Sequence, residues 1–404
     1  MFAVVTLLEI LNRKTLVMLG LNSGTSVDGL DMVAVRISRG GRRMRIKYLA
    51  GRTRPYPGEI RQLVQEVIDS QTVELDKIID LDSLLGQFFG RAAATYCRSL
   101  SRRGIRVDAL ASHGQTVRHR PQKRSRGDFM VHGTLQLGSP EQVAAAVGKP
   151  VVADFRQADV AAGNEGAPIT TVAVERLFAT PEETRLLVNI GGMANYFYLP
   201  GKTAARSLDA ADCGPGNCLS DSLTQKLFGE RFDGRGARAA QGRTSQRLLT
   251  LLLANTFFSS GAVSTGREDF GQTVVDEILV FGRKFGLQPE DMLATAVELT
   301  AATVAMKIEP LIRRNRSLSK LYLTGGGRKN SFLVDRLRQR LPAVEVRPVD
   351  ELGWDGDLVE AASFAVLGEA CLRSEPLMRH RKNNRTGIKP ILGRIVQPPV
   401  KEKK

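Results

Sequence analysis

The chain has 404 residues, 42 % hydrophobic and 25 % charged, an ordinary composition for a folded protein and a length that favours two domains. No apolar run approaches the ~20 residues that span a bilayer. The opening MFAVVTLLEILNRK has no basic leader and is interrupted by Glu9, so it reads as a ragged start and not as a signal peptide. The net charge is +16, yet one Trp, 6 % aromatics and no recognisable nucleic-acid motif argue for a basic surface that attracts anionic small substrates, with no nucleic acid and no membrane as partner.

Leu16–Ile37 reads as a β-hairpin: two runs rich in Val, Leu and Met flank the turn Asn22-Ser23-Gly24-Thr25-Ser26-Val27-Asp28-Gly29. Its glycines let backbone approach a bulky anion, its N–H groups and hydroxyls can donate, and Asp28 and Asp31 suit a phosphate accompanied by a divalent metal. The plain alternative is an ordinary hairpin turn. Helical spacing follows in Gly58–Ser70 and Leu75–Leu100. Val107–Ser112 is a strand ending in a polar loop, His113-Gly114-Gln115-Thr116, where α/β folds place ligand contacts. His113 could be general base, ligand contact or structural donor. Pro121–Met130 is polar and basic and reads as an exposed loop.

Pro140–Val147 is a short helix and Val151–Asp154 a strand, after which Arg156 and Asp159 either bind polar substrate groups or form a surface ion pair. The Gly-bearing run Ala161–Pro168 reads as a hinge, because a strand–helix pattern restarts beyond it. Arg185–Asn189 and Tyr196–Leu199 form a second hairpin with Gly191 and Gly192 at its tip, an architectural counterpart of the first. Asp212 stands before the turn Gly214-Pro215-Gly216-Asn217 and a helix from about Cys218 to Phe228. That carboxylate is the best-placed general base for a phosphoryl transfer, or else a turn or capping residue; Asn217 reads as the helix cap. Ser245–Phe258 and Pro289–Ile312 are helical, with Arg267 and Glu268 between them as a local ion pair. The strand Lys320–Leu323 runs into Gly325-Gly326-Gly327, whose backbone can lie flat on a planar ligand or a phosphate. Helix Ser331–Leu341, strand Val344–Pro348, helix Asp357–Glu369 with Glu360 near its start, and a last strand at Ile391–Ile395 complete the chain, which ends Lys-rich. The cysteines Cys97, Cys213, Cys218 and Cys371 lack metal-ligand spacing and read as free thiols in a reducing compartment.

Taken in order, SGTSVDGLD (Ser23–Asp31), SHGQT (Ser112–Thr116), ADFRQADVAAGNEGAP (Ala153–Pro168), NIGGMAN (Asn189–Asn195), DCGPGN (Asp212–Asn217), STGREDF (Ser264–Phe270), TGGGRKN (Thr324–Asn330) and Val359–Ala365 resemble the anhydro-N-acetylmuramic acid kinases over about Leu19 to Gly393. The resemblance implies an α/β fold of two actin/hexokinase-like (RNase H-like) domains around a nucleotide cleft. Its expected division is residues 1–157, residues 158–375, and a segment 376–404 returning to the first domain with a basic tail. It implies nucleotide binding by Gly24, Thr25, Ser26, Val27, Asp28, Gly29, Leu30 and Asp31, with Gly191, Gly192, Gly325, Gly326, Gly327 and Asn330, and Mg²⁺ held through Asp28 and waters. Substrate contacts are expected from His113, Gln115, Thr116, Arg156, Asp159 and Glu360, and Asp212 is the expected catalytic base. In the family's reaction that base activates water to attack the anomeric carbon of a 1,6-anhydro sugar while O6 takes the γ-phosphoryl group of ATP. The resemblance also implies cell-wall recycling in the cytoplasm; a homodimer is expected.

Cys213 stands where the family commonly has threonine and Asn22 where it has methionine, and neither change removes a group the chemistry needs. The basic stretch Lys123–Arg126 and the Lys-rich end are less typical. A levoglucosan-type kinase and a non-catalytic ATP-binding protein are the alternatives.

Overall fold

Period-two alternation builds the first sheet. In β1 (Thr15–Ser23), Val17, Leu19 and Leu21 point into a core shared with the helix Leu75–Arg102, while Met18 and Gly20 face the helix Val359–Leu372. The structure, a computed structural model, describes residues 7–24, 26–40, 44–202, 208–259, 265, 269–315, 318–377 and 388–400. β2 (Gly29–Arg39) and β3 (Met44–Pro55) continue an antiparallel meander from β1. β4 (Ala109–Arg126) then runs parallel to β1, with β5 (Phe129–Leu137) folded back on it; β6 (Val151–Ala153) runs parallel to β4.

The second sheet repeats this plan. β7 (Arg185–Ile190), β8 (Met193–Leu199) and β9 (Asp209–Pro215) form the meander, and β10 (Lys320–Thr324) and β11 (Glu345–Pro348) follow in parallel. The strand orders are β3-β2-β1-β4-β6 and β9-β8-β7-β10-β11, with β12 (Arg394–Val396) added antiparallel on β6 in the first. This is the α/β, actin/hexokinase-like plan, present twice. The helix Pro289–Arg314, buried along most of its length, forms the centre of the second core.

The chain divides into two compact units, Met1–Leu177 with Leu358–Lys404, and Phe178–Asp357. The first crossing thus falls about 20 residues beyond the expected boundary at 157/158. The return falls before the helix Val359–Leu372, well ahead of the expected 375/376. The cause is packing: a Cβ on Gly20 would overlap the Ala361 carbonyl, and one on Gly368 would lie 2.6 Å from Ala111 Cβ, so this helix is seated on the first sheet. The run 161–168 is accordingly no hinge. Asp159, fully buried, accepts from the Gly166 N–H at 2.8 Å and from Asn164 Nδ2 at 3.2 Å, which pins the loop.

Four further expectations are corrected. The loop predicted over Pro121–Met130 is the tip of a long β4–β5 ribbon, and His113–Thr116 lies inside β4, where Gly114 at φ 78° absorbs the bend. Asp212 sits within β9, which also takes in Gly214 and Pro215 of the expected turn. Ser245–Phe258 is broken into the helices Gln246–Leu253 and Thr256–Ser259. β3 and the helix Gln272–Lys284 have no expectation attached to them, although Met44, Ile46 and Tyr48 alternate with Arg45 and Lys47 as a half-buried strand does, up to a bulge at Leu49.

Candidate active site

In the first unit the site begins at the end of β1. The close approach at Gly20 carries the start of the helix Val359–Leu372 to that strand end, where Asn22 Nδ2 donates to Glu360 Oε2 at 2.9 Å. Desolvation raises the Glu360 pKa above its ordinary value even though part of the side chain reaches solvent; the Arg156 charge and the Asn22 donor oppose that rise. Ser23, next along, is buried in a knot that the sequence did not single out. Its Oγ lies 2.7 Å from the Tyr56 hydroxyl, 2.5 Å from Gln115 Oε1 and 3.1 Å from the Gly29 carbonyl. Gln115 Nε2 donates to the Gly24 and Thr116 carbonyls at 3.4 and 3.2 Å. Gln115 therefore braces the hairpin loop from beneath; a buried Tyr at the end of β3 is the only sequence signal for the third member.

The loop itself divides its residues sharply. Val27 is fully buried at φ 51°, a costly conformation for a β-branched residue, and Leu30 is buried beside it. Anchoring these two side chains leaves Ser26 and Asp28 exposed and Gly24 facing open space, its nearest neighbour to an added Cβ being Ser26 Oγ at 3.8 Å. Gly29 is needed because a Cβ there would strike β3 at Arg54, and Asp31 Oδ1 accepts from Thr53 Oγ1 at 2.5 Å. Thr25 lies outside the described residues. The open part of the loop is thus Gly24, Ser26 and Asp28. Among the described residues no group of three or more His, Cys, Asp or Glu could hold a metal ion. A divalent ion at Asp28 would accordingly be carried by phosphates with a single carboxylate, which Mg²⁺ accepts.

His113 and Arg156 form the other half of this unit's site. The His113 ring stacks on Phe364 at 4.4 Å, places Nδ1 3.0 Å from the Gly114 carbonyl and takes a hydrogen bond from Arg156 Nε on Nε2 at 2.8 Å. Burial and the Arg156 charge hold the His113 pKa well below 6.5, so the ring is neutral. Only the Nδ1–H tautomer satisfies both contacts, with Nδ1 donating and Nε2 accepting. His113 is therefore a support for Arg156, whose Nη1 also donates to the Gly166 carbonyl at 2.8 Å. Asp159 holds the loop that supplies that carbonyl and acts at one remove. Thr116 Oγ1 accepts from Gln136 Nε2 at 3.1 Å.

In the second unit the β7–β8 tip is tied to the following helix through its carbonyls. The Gly191 and Gly192 carbonyls face inward and accept from Asn217 N (2.8 Å) and from Gly216 N and Cys218 N (2.9 and 3.1 Å). The start of the helix Cys218–Phe228 is thereby fastened to the tip. Asn217 does not cap that helix with its side chain, as predicted; it stands at φ −82°, ψ −10°, and its Nδ2 donates to the Ile190 carbonyl at 3.2 Å. The three glycines after β10 also differ in use. A Cβ on Gly325 would lie 2.6 Å from the Ile190 carbonyl and one on Gly327 would overlap the Ile190 side chain, so both serve close packing. Gly326 alone is open, with Asn217 Nδ2 as its nearest neighbour at 3.6 Å. Arg328, 7 % exposed and ringed by Asp350, Asp355 and Asp357, fixes the loop by donating to the Gly325 carbonyl at 3.1 Å. Asn330 Oδ1 accepts from Leu333 N at 3.0 Å, capping the helix Ser331–Arg340.

Asp212 is paired across the ladder with Asn195, so the two side chains share one face of the sheet. Its Oδ2 accepts from Thr265 N at 2.8 Å; Ser264, Gly266, Arg267 and Glu268 lie outside the described residues. The Asn195 Oδ1 atom is buried with no hydrogen-bond partner. An orphaned acceptor beside a carboxylate is a place for a water or a ligand hydroxyl. Next to Asp212, burial and the carboxylate push the Cys213 thiol up, out of reach of thiolate chemistry.

A family model described as anhydro-N-acetylmuramic acid kinase matches residues 16–395. Proteins named anhydro-N-acetylmuramic acid kinase from Caldanaerobacter subterraneus subsp. tengcongensis and Salinibacter ruber are 34 % and 35 % identical, over 89 % and 90 % of this chain and 92 % of each relative. One of the same name from Bacillus cereus is 31 % identical over 94 % of this chain and 99 % of its own. The chain belongs to the anhydro-N-acetylmuramic acid kinase family.

Proposed function

We propose that this member of the family opens the 1,6-anhydro ring of anhydro-N-acetylmuramic acid with water and transfers the γ-phosphoryl group of ATP to O6, giving N-acetylmuramic acid 6-phosphate and ADP. The observation that carries this reading is the Asn195–Asp212 pair, a carboxylate beside an unsatisfied buried acceptor. A water there points one O–H at the Asn195 oxygen as a hydrogen bond and gives its other proton to Asp212 as its oxygen bonds to the anomeric carbon, so that a hydroxyl remains at C1. The C1–O6 bond breaks and O6 bonds to the γ-phosphorus as the bond to the β-phosphate oxygen breaks. One general base suffices, because O6 is freed as a nucleophile by the ring opening itself.

The remaining groups position and neutralise. Gly24, Ser26 and Asp28 form the phosphate-binding loop, Gly326 is the open point of the second nucleotide-contacting segment, and Arg156 and Glu360 take polar groups of the sugar. Mg²⁺ at Asp28, when bound, would neutralise phosphate charge. The reading includes a cytoplasmic setting and a homodimer, the latter checked by light scattering.

The test is ADP release with anhydro-N-acetylmuramic acid and with levoglucosan in parallel, for the wild type and Asp212→Asn. Turnover is expected with the muramic sugar and reduced about 10³-fold in the variant, within the range for loss of a general base. A variant with full activity refutes the base assignment. ADP release with levoglucosan alone refutes the substrate, and release with neither sugar refutes the kinase reading.

A further inference from the structure

We propose that the outer β4–β5 ribbon is a peripheral docking surface for an anionic lipid bilayer. Beyond Gln115, β4 pairs with no strand but β5 among the described residues, so the ribbon leaves the sheet as two strands. Its register sets Arg120 opposite Gly133, Arg124 opposite Val131 and Arg126 opposite Phe129. Directly opposed residues share a face, and 129, 131 and 133 alternate, so all three pairs lie on the same side. One face of the ribbon thus carries a row of arginines beside an apolar row.

Its exposure is costly to a protein that leaves it in water. Phe129 is 75 % and Met130 59 % exposed at the tip, and Arg120, Lys123, Arg124 and Arg126 are exposed with no ion pair among the described residues. The only carboxylate between residues 118 and 135 is Asp128, against five basic side chains. Guanidinium groups match phosphate oxygens, and an apolar tip among them matches the region just below a headgroup layer. A second copy of this chain would bring two cationic faces together. A nucleic acid would meet the arginines but give Val131, on the same face, nothing to bury in. The expectation of no membrane partner assigned the basic surface to anionic small substrates; no described helix is long and apolar enough to cross a membrane. Contact at the surface needs none.

The test is co-sedimentation of the full chain with vesicles of phosphatidylcholine alone and of phosphatidylcholine mixed with phosphatidylglycerol, with kinase activity and thermal melts as folding controls. The wild type is expected to sediment with the mixed vesicles only. Arg124→Ser/Arg126→Ser is expected to lower partitioning about 25-fold, at about fivefold per basic residue. Phe129→Ser is expected to lower it about tenfold, and Arg283→Ser/Lys284→Ser, exposed on the other unit, to leave it unchanged. Absence of sedimentation with the mixed vesicles overturns the proposal. So does an equal loss in the Arg283/Lys284 variant, which would make net charge the cause. A loss confined to the arginine variant, or equally ribbon-dependent binding to duplex DNA, would mean a general polyanion contact and refute the bilayer.

Discussion

Replacing His113 with Ala removes the acceptor that aims Arg156 without touching any group proposed to meet the sugar. The Arg156 Nε–His113 Nε2 bond, at 2.8 Å, is a charged donor on a buried neutral acceptor, a class of bond that contributes about 2 kcal/mol. Arg156 keeps its second tether on the Gly166 carbonyl, so it is loosened and not lost. The expected result is a fall of about 30-fold in kcat/KM for the anhydro sugar, with the KM for ATP unchanged. His113→Gln, which restores an acceptor but not the stack on Phe364, should recover part of that loss. In a double-mutant cycle the His113→Ala and Arg156→Ala effects should be strongly non-additive. The stability of the wild type adds a second signature. The folded-state pKa of His113 is depressed below its unfolded value near 6.5, so the unfolded chain binds the extra proton first as pH falls. Stability is unaffected above that pH and declines by about 1.4 kcal/mol per pH unit below it until the folded pKa is reached, and His113→Gln abolishes this decline. Additive kinetic effects, or an undiminished acid-side decline in His113→Gln, would refute the role given to the ring.

Three further outcomes follow from the same geometry. Glu360 has its folded pKa raised above 4.5, so the native state holds the proton longer and stability falls as pH rises through that window; Glu360→Gln should melt higher than wild type at pH 7 and the same at pH 4, while losing at least about tenfold in kcat/KM. Arg328→Ala leaves Asp350, Asp355 and Asp357 without their shared guanidinium and removes the side-chain bond to the Gly325 carbonyl, which keeps only the residue 328 backbone N–H, and should cost about 2 kcal/mol in urea unfolding and raise the KM for ATP. Asn195→Leu removes a buried acceptor that has no partner in the fold, so melting should be unchanged or higher, yet kcat should drop at least about tenfold. A parallel loss of stability and rate would show Asn195 to be structural.

What could be read from the sequence depended on whether the signal was local. The helix from Leu75 carries its periodicity in its own residues, and the first hairpin and the helix before Leu372 carry near-continuous apolar runs. β9 does not: Asp209–Pro215 is small and acidic, and it is a strand because β8 offers Tyr196, Phe197 and Tyr198 beside it. Glycines were legible as punctuation but not as purpose. Gly20, Gly325 and Gly327 serve close contacts with residues far away in the chain, whereas Gly24 and Gly326 are open, and nothing in either motif separates the two kinds. The same holds for His113, whose neutrality comes from Phe364 and Arg156, more than 40 residues distant.

The two repeated sheets explain why the proposed base belongs to the second unit. In each meander one polar row crosses the three strands near the hairpin: Asn22, Asp31 and Thr53 in the first, Asn189, Asn195 and Asp212 in the second. The first row is closed on itself and its neighbours, since Thr53 donates to Asp31 and Asn22 gives its amide to Glu360. In the second row Asn189 accepts from Thr324, but the carboxylate has moved to the outer strand and the middle residue is left with an unmet oxygen. An acidic middle residue satisfied by a hydroxyl can hold a hairpin in shape. An amide with an orphaned oxygen beside an outer-strand carboxylate can instead hold and deprotonate a small molecule. One fold plan, with the acid moved by one strand, thus leaves the first unit an open loop and the second an orphaned acceptor beside a carboxylate, the features on which the proposed phosphate and water sites rest.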